Sequence, residues 1–212
     1  MYTHEEKVVA FGPPLEQTGK ALIMLHGRGA TAEDILSLRQ HLAVDDFTLF
    51  APQASRHSWY PYSFMAPVSQ NQPALDSALE LLGQVVSSLR DQGLGSREIY
   101  LLGFSQGACL TAEYATRNAQ HYGGVICFTG GLIGQQLSTD IYKGDFHGTP
   151  VLFTTGDADP HVPLSRVEES AGIMTGLGAQ VTQKIYKGRP HTILPQELEL
   201  ANQIFSQPRV KV

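Results

Sequence analysis

The chain has 212 residues, 42% of them hydrophobic, with a formal net charge of −5. That length supports one substantial core and is short for two, so residues 1–212 are read as a single domain. The acidic balance, with no run of five basic residues, excludes nucleic acid as the main partner, because nothing is in excess to neutralise phosphates.

In chain order, Lys7–Phe11 reads as a candidate edge strand. Ala21–Leu25 is a short continuous apolar run that stops at His26-Gly27. Thr31-Ala32-Glu33-Asp34 has the form of a helix start, followed by Ile35, Leu36, Leu38 and Leu42 at helical spacing. Phe47–Ala51 reads as a strand stopped by Pro52. Pro73 opens a long helical pattern through Leu75, Leu79, Leu82, Val86 and Leu89, and Gly93 and Gly95 follow its end. Ile99–Leu102 is the next strand, Gln106–Arg117 a helix, Val125–Phe128 and Val151–Thr155 further strands, and Pro163–Leu177 a helix. Gln180–Tyr186 alternates as a final strand, and Pro195–Phe205 closes as a helix. Gln53–Asn71 and Thr129–Thr149 lack clear regular structure, and neither is long enough for a separate lid domain. Strands alternating with helices predict an α/β fold: a mostly parallel sheet covered on both faces.

No apolar stretch approaches the roughly 18 residues of a membrane span, and the polar start Met1–Lys7 lacks the apolar region of a signal peptide, so stable membrane insertion is not expected. The two cysteines, Cys109 and Cys127, each lie in an apolar segment and form no disulfide framework. A reduced, cytoplasmic protein with both thiols packed inside is the expectation. The eight histidines are scattered without metal-ligand spacing, and there is no phosphate loop or dinucleotide fingerprint. No metal or cofactor is expected.

The chemistry points to the strand that ends in Gly103-Phe104-Ser105-Gln106-Gly107. A serine between two glycines, on a strand-to-helix turn, stands clear of neighbouring side chains at the carboxyl edge of the sheet. The helix beneath it directs free N–H groups at developing negative charge. In a chain with 21 glycines the motif alone could be an ordinary turn, so its context has to carry it. A serine hydroxyl needs a base, and the base a carboxylate, in the chain order Ser, Asp or Glu, His. Gly156-Asp157-Ala158-Asp159-Pro160-His161 follows one strand and Pro190-His191 follows the last. His161 lies only two residues beyond Asp159 on the same loop, so His191 is the base that can reach Ser105. Asp157 and Asp159 both stay open at this level. His26 reads as a supporting hydrogen-bonding residue. One oxyanion donor is the N–H of Gln106, and the other comes from the turn His26-Gly27-Arg28-Gly29. Trp59, Phe64 and Met65, in the aromatic segment after Phe47–Ala51, are candidates to line an acyl or alcohol pocket, with Leu132 and Ile133 further candidates. The plain alternative is that they only pack their loops.

Leu25-His26-Gly27-Arg28-Gly29, Gly103-Phe104-Ser105-Gln106-Gly107, Gly156-Asp157-Ala158-Asp159-Pro160-His161-Val162-Pro163 and Pro190-His191 together resemble the phospholipase/carboxylesterase family of small serine α/β-hydrolases, which includes acyl-protein thioesterases. The resemblance implies a compact α/β-hydrolase fold without a large cap. It places the catalytic acid on Asp159 beside Ser105 and His191, and the second oxyanion donor on Arg28. It implies a small-molecule ester or thioester substrate: a carboxylesterase, with acyl thioesterase and lysophospholipase as alternatives, and leaves homodimerisation open. A non-enzymatic binding protein of the same fold is the alternative from another class, disfavoured by Ser105, Asp159 and His191 all being present. The chain departs from the family pattern at Arg189-Pro190, where Gly-His is frequent, and at His161, a position often apolar; both changes are expected at the entrance to the site.

Overall fold

The computed structural model describes residues 2–207. Seven strands form one sheet: β1 (Val8–Phe11), β2 (Ala21–Leu25), β3 (Thr48–Pro52), β4 (Ile99–Phe104), β5 (Gly124–Phe128), β6 (Pro150–Gly156) and β7 (Gln180–Tyr186). Their spatial order is β1-β3-β2-β4-β5-β6-β7. β1 pairs antiparallel with β3, and the other pairs are parallel. The helices are the single turn α1 (Leu15–Thr18), then α2 (Ala32–Leu36), α3 (Ala74–Asp91), α4 (Gln106–Arg117), α5 (Leu164–Gly176) and α6 (Pro195–Phe205). This is the α/β-hydrolase architecture. Among the described residues its irregular connections carry only short 3₁₀ turns, and no large cap is built from them.

Every residue of β2 is buried because helices cover both faces. Successive side chains alternate between them. Ala21, Ile23 and Leu25 pack into one apolar cluster with α3, α4 and α5, whereas Leu22 and Met24 join α2 and α6 in the other. β4 and β5 divide in the same way. β7 lies at the edge and buries much less, so its sequence alternates instead of running apolar. In α3, Leu75, Ala78, Leu82, Val85, Val86 and Leu89 form one buried stripe. Each of its leucines contributes about 1.5–3 kcal/mol by leaving water.

α2 is shorter than its apolar spacing predicts. It opens on a reciprocal cap: the Thr31 hydroxyl accepts from the Asp34 N–H at 3.1 Å, while the Asp34 carboxylate accepts from the Thr31 N–H at 2.8 Å. After Leu36 the chain tightens into a 3₁₀ turn, Ser37–His41. The Ser37 hydroxyl donates to the Asp34 carbonyl at 2.6 Å, a local bond that competes with α-helical pairing. Leu38 therefore stays half-buried at the surface instead of completing a helical stripe. Among the described residues, no helix is long and apolar enough to cross a membrane.

Candidate active site

β2, β4, β6 and β7 run parallel, so the segments that leave their carboxyl ends meet along one edge. Ser105 sits there between β4 and α4, at φ 54° and ψ −119°. A non-glycine residue in so sparse a region costs about 1–3 kcal/mol and has to be held. Its N–H donates to the Phe128 carbonyl at 2.9 Å, and its carbonyl accepts from the Cys109 N–H at 3.0 Å. The flanking glycines are a packing requirement. A Cβ on Gly103 would lie 2.3 Å from the Gly107 carbonyl oxygen, and one on Gly107 would lie 2.2 Å from that of Leu25. Gly107 thus lets the start of α4 close onto the end of β2.

His191 Nε2 lies 2.8 Å from Ser105 Oγ, and His191 Nδ1 lies 2.8 Å from Asp159 Oδ2. An ionised carboxylate can only accept, so the proton is on Nδ1 and Nε2 is free to accept from the serine hydroxyl. Asp159 Oδ1 accepts from the N–H groups of His161 at 2.9 Å and Val162 at 3.0 Å. Burial pushes the Asp159 carboxyl up. The hydrogen bonds from the His161 N–H, the His191 ring and the Val162 N–H outweigh it and hold the group below its ordinary value. Asp157 is exposed and turned elsewhere, its Oδ1 accepting from the Gly188 N–H at 2.8 Å. It shapes the turn that delivers His191. His161 is exposed and packs T-shaped on His191, ring centroids 4.9 Å apart, on the cavity wall.

Arg189 is not at the entrance, contrary to expectation. It is buried beneath the His191 loop, where its guanidinium donates to the carbonyls of Pro190 and Thr192 and to the Thr129 hydroxyl. Glu197, also buried, lies 3.6 Å away. The carboxylate of Glu197 accepts from Thr154 and from the Leu194 N–H, the latter at 2.7 Å. A cation, an anion and two hydroxyls thus hold the histidine loop from below. Sequence reading missed Glu197; its position three residues after Leu194 looks like an ordinary helix cap.

Arg28 and Gln106 line one cavity together with Ser105. Gln106 is the first residue of α4, so its N–H has no acceptor one turn back. The Arg28 turn is held from inside. His26 Nε2 accepts from the Ala54 N–H at 3.1 Å, so Nδ1 carries the proton it donates to the Gly27 carbonyl at 2.7 Å. Burial pushes the His26 pKa down, which keeps the ring neutral in this role. The side chains of both residues grip one loop. Arg28 donates to Ser58 Oγ at 3.0 Å, Pro61 O at 2.9 Å and Tyr62 O at 2.7 Å. The Gln106 amide accepts from the Trp59 N–H at 2.9 Å and donates to Tyr60 O at 2.8 Å.

A cavity of about 460 Å³ opens above Ser105, walled by Tyr60, Phe64, Cys109 and Val162 among others. Phe64 takes the expected place on that wall; Trp59, Met65 and Leu132 do not. Trp59 is fully buried, and its indole N–H donates to the His26 carbonyl at 2.8 Å, so it braces the Arg28 turn from behind. Met65 packs half-buried against the core. Leu132 is fully buried, and its backbone is tied to Ser170 and Arg166 on α5. All three are loop residues with apolar mass, and packing rather than ligand contact claims them. Ile133, the further candidate beside Leu132, is also buried, and its N–H donates to Glu113 at 2.9 Å. Cys109 borders the cavity, but burial pushes its thiol up to about 12, which keeps it protonated. Cys127 is also buried and free.

A model of the phospholipase/carboxylesterase family matches residues 6–207. Among curated proteins, acyl-protein thioesterase 1 of Gibberella zeae is 26% identical over 219 residues, covering 88% of this chain and 89% of that protein. A probable carboxylesterase of Oryza sativa subsp. japonica is 25% identical over 195 residues, covering 84% and 73%. Among solved structures, a phospholipase/carboxylesterase from Dyadobacter fermentans DSM 18053 superimposes with a TM-score of 0.96 at 57% identity, covering 97% of this chain and 99% of that one. Arabidopsis thaliana SOBER1 shares the fold, with a TM-score of 0.74 at 17% identity over 87% of this chain and 96% of its own.

Proposed function

Since the chain belongs to the phospholipase/carboxylesterase family, we infer that it is a serine hydrolase that cleaves carboxylic esters through an acyl-enzyme on Ser105. The observation that carries this reading is the hydrogen-bonded line from Asp159 through His191 to Ser105, 2.8 Å at each His191 contact. In the first half-reaction Ser105 Oγ forms a bond to the carbonyl carbon while its proton passes to His191 Nε2. The carbonyl oxygen becomes an anion facing the N–H groups of Arg28 and Gln106, with the N-terminus of α4 behind it. The C–O or C–S bond then breaks, and the leaving alcohol or thiol takes the proton from His191. Water repeats the sequence to release the acid. Asp159 keeps the tautomer and stabilises the imidazolium formed at each stage.

A fluorophosphonate should attach to Ser105, read by mass spectrometry of the tryptic peptide, and p-nitrophenyl esters should be turned over. Absence of both would remove the reading. The relatives named thioesterases make a thioester the second substrate class to compare, over an acyl series of increasing length. A reducing cytoplasm is the setting proposed for the enzyme, in keeping with two free cysteines.

The two oxyanion donors are backbone groups, which separates side-chain from main-chain effects at one position. Arg28→Pro removes an N–H and should lower kcat on the order of 10²–10³-fold, with folding checked by thermal melt. Arg28→Ala keeps the N–H but frees the 58–62 loop. It should retain most of kcat on a small neutral ester and raise KM for larger ones. Near-normal turnover by a folded Arg28→Pro enzyme would place the second donor elsewhere.

A further inference from the structure

A second groove, of about 370 Å³, opens beside the cavity and shares only His191 with it. Its floor is apolar. Leu38 comes from the 3₁₀ turn after α2, Phe104 from the end of β4, and Ile193 from the segment before α6; all three are half-buried and packed on the core cluster beneath. Half-exposed apolar side chains from three separate elements, meeting next to a reactive imidazole, form a surface shaped for a ligand. The Phe104 ring continues that surface onto His191, with centroids 5.3 Å apart.

Among the described residues, no lysine or arginine lines the groove. His26 spends both ring nitrogens on the Gly27 and Ala54 backbone, and Asp34 at the rim carries a negative charge and caps α2. Walls of this kind suit a neutral apolar group better than an anionic one. Gly27 brings the groove close to the nucleophile: a Cβ on Gly27 would lie 3.5 Å from the Ser105 Cβ.

The reaction needs room on two sides of the tetrahedral carbon. The acyl half belongs with the cavity that contains Ser105 and Gln106. The leaving oxygen or sulfur must face His191 Nε2, which gives it a proton. We propose that the groove of Leu38, Phe104 and Ile193 is the leaving-group subsite, taking neutral aryl or branched alkyl alcohols and thiols. This rests on the reading in which Ser105 carries the acyl group. It has a kinetic consequence: esters of one acid pass through the same acyl-enzyme, so the groove acts on acylation and deacylation is blind to it.

The test compares methyl, benzyl and 2-naphthylmethyl acetates, with a second series of methyl esters of lengthening acids. For the wild type, kcat/KM should rise about tenfold or more from methyl to naphthylmethyl, while the rate of acetyl-enzyme hydrolysis stays constant. Leu38→Trp fills the groove and should cut that preference about tenfold, leaving the order of preference along the acyl series unchanged. Ile193→Ala widens it and should raise naphthylmethyl relative to benzyl; it also keeps the test open if Leu38→Trp fails to fold by thermal melt. Variants that move the acyl-length preference instead, or neither preference, overturn the assignment. An enzyme that takes phosphonate on Ser105 and hydrolyses esters with no leaving-group dependence overturns the groove alone. An enzyme that does neither removes the acyl-enzyme reading, and the subsite falls with it.

Discussion

Ser105→Ala is expected to melt as the wild type does and to lose about 10⁴-fold or more in turnover. Among the described residues its hydroxyl has one hydrogen-bond contact, the His191 ring at 2.8 Å, so removing it disturbs no other of them. The backbone bonds to Phe128 and Cys109 that hold the turn do not depend on the side chain. The residual rate should come from substrate binding and the oxyanion donors alone. Nucleophile and base act as one unit, so adding His191→Ala to Ser105→Ala should cost little more; independent, multiplying losses would show that Ser105 is not the nucleophile His191 serves. Phosphonate should label the wild type and leave the variant untouched.

Asp159→Asn should lose turnover on the order of 10⁴-fold, against less than tenfold for Asp157→Asn. Asp159 Oδ1 is fixed by the two backbone N–H groups of His161 and Val162, so an asparagine keeps its oxygen there and turns its NH₂ toward His191. His191 Nδ1 then has to accept, the proton moves to Nε2, and no lone pair is left for the Ser105 hydroxyl. Asp157→Asn keeps an oxygen for the Gly188 N–H. Steady-state kinetics on one ester decides between them, and reversed losses would assign the acid to Asp157.

The same carboxyl makes a statement about stability. Its folded-state pKa is lowered, so its ionised form stabilises the fold above the ordinary carboxylate range, and this contribution is lost as the pH falls through the lower, folded value. Urea melts of wild type and Asp159→Asn should therefore converge as the pH drops through that interval. A gap that widens in acid would mean that the hydrogen bonds to Asp159 do not favour its charged form.

Much of this protein is legible without coordinates, and the reasons are local. β2 is a run of five apolar residues because both sheet faces are covered, and Gln180–Tyr186 alternates because it is an edge. Gly103 and Gly107 announce a close approach of backbones, since any Cβ there collides. The order of Ser105, the aspartate pair and His191 follows from strand ends that a parallel sheet must bring to one side. What the tertiary structure decided concerns residues far apart in the chain. Which aspartate faces His191 depends on a loop whose two N–H groups point at Asp159. Trp59 and Leu132 have the composition of pocket residues and were claimed by the core. Arg189 turned inward, where it meets buried Glu197 and the Thr129 hydroxyl, partners that lie far from it in the chain or on another element. The meeting of Leu38, Phe104 and Ile193 beside His191 has no periodic signature, because their separation is set by the packing of α2, β4 and α6. A sequence dictates which faces of its elements are apolar; only the assembled sheet fixes which of those faces meet.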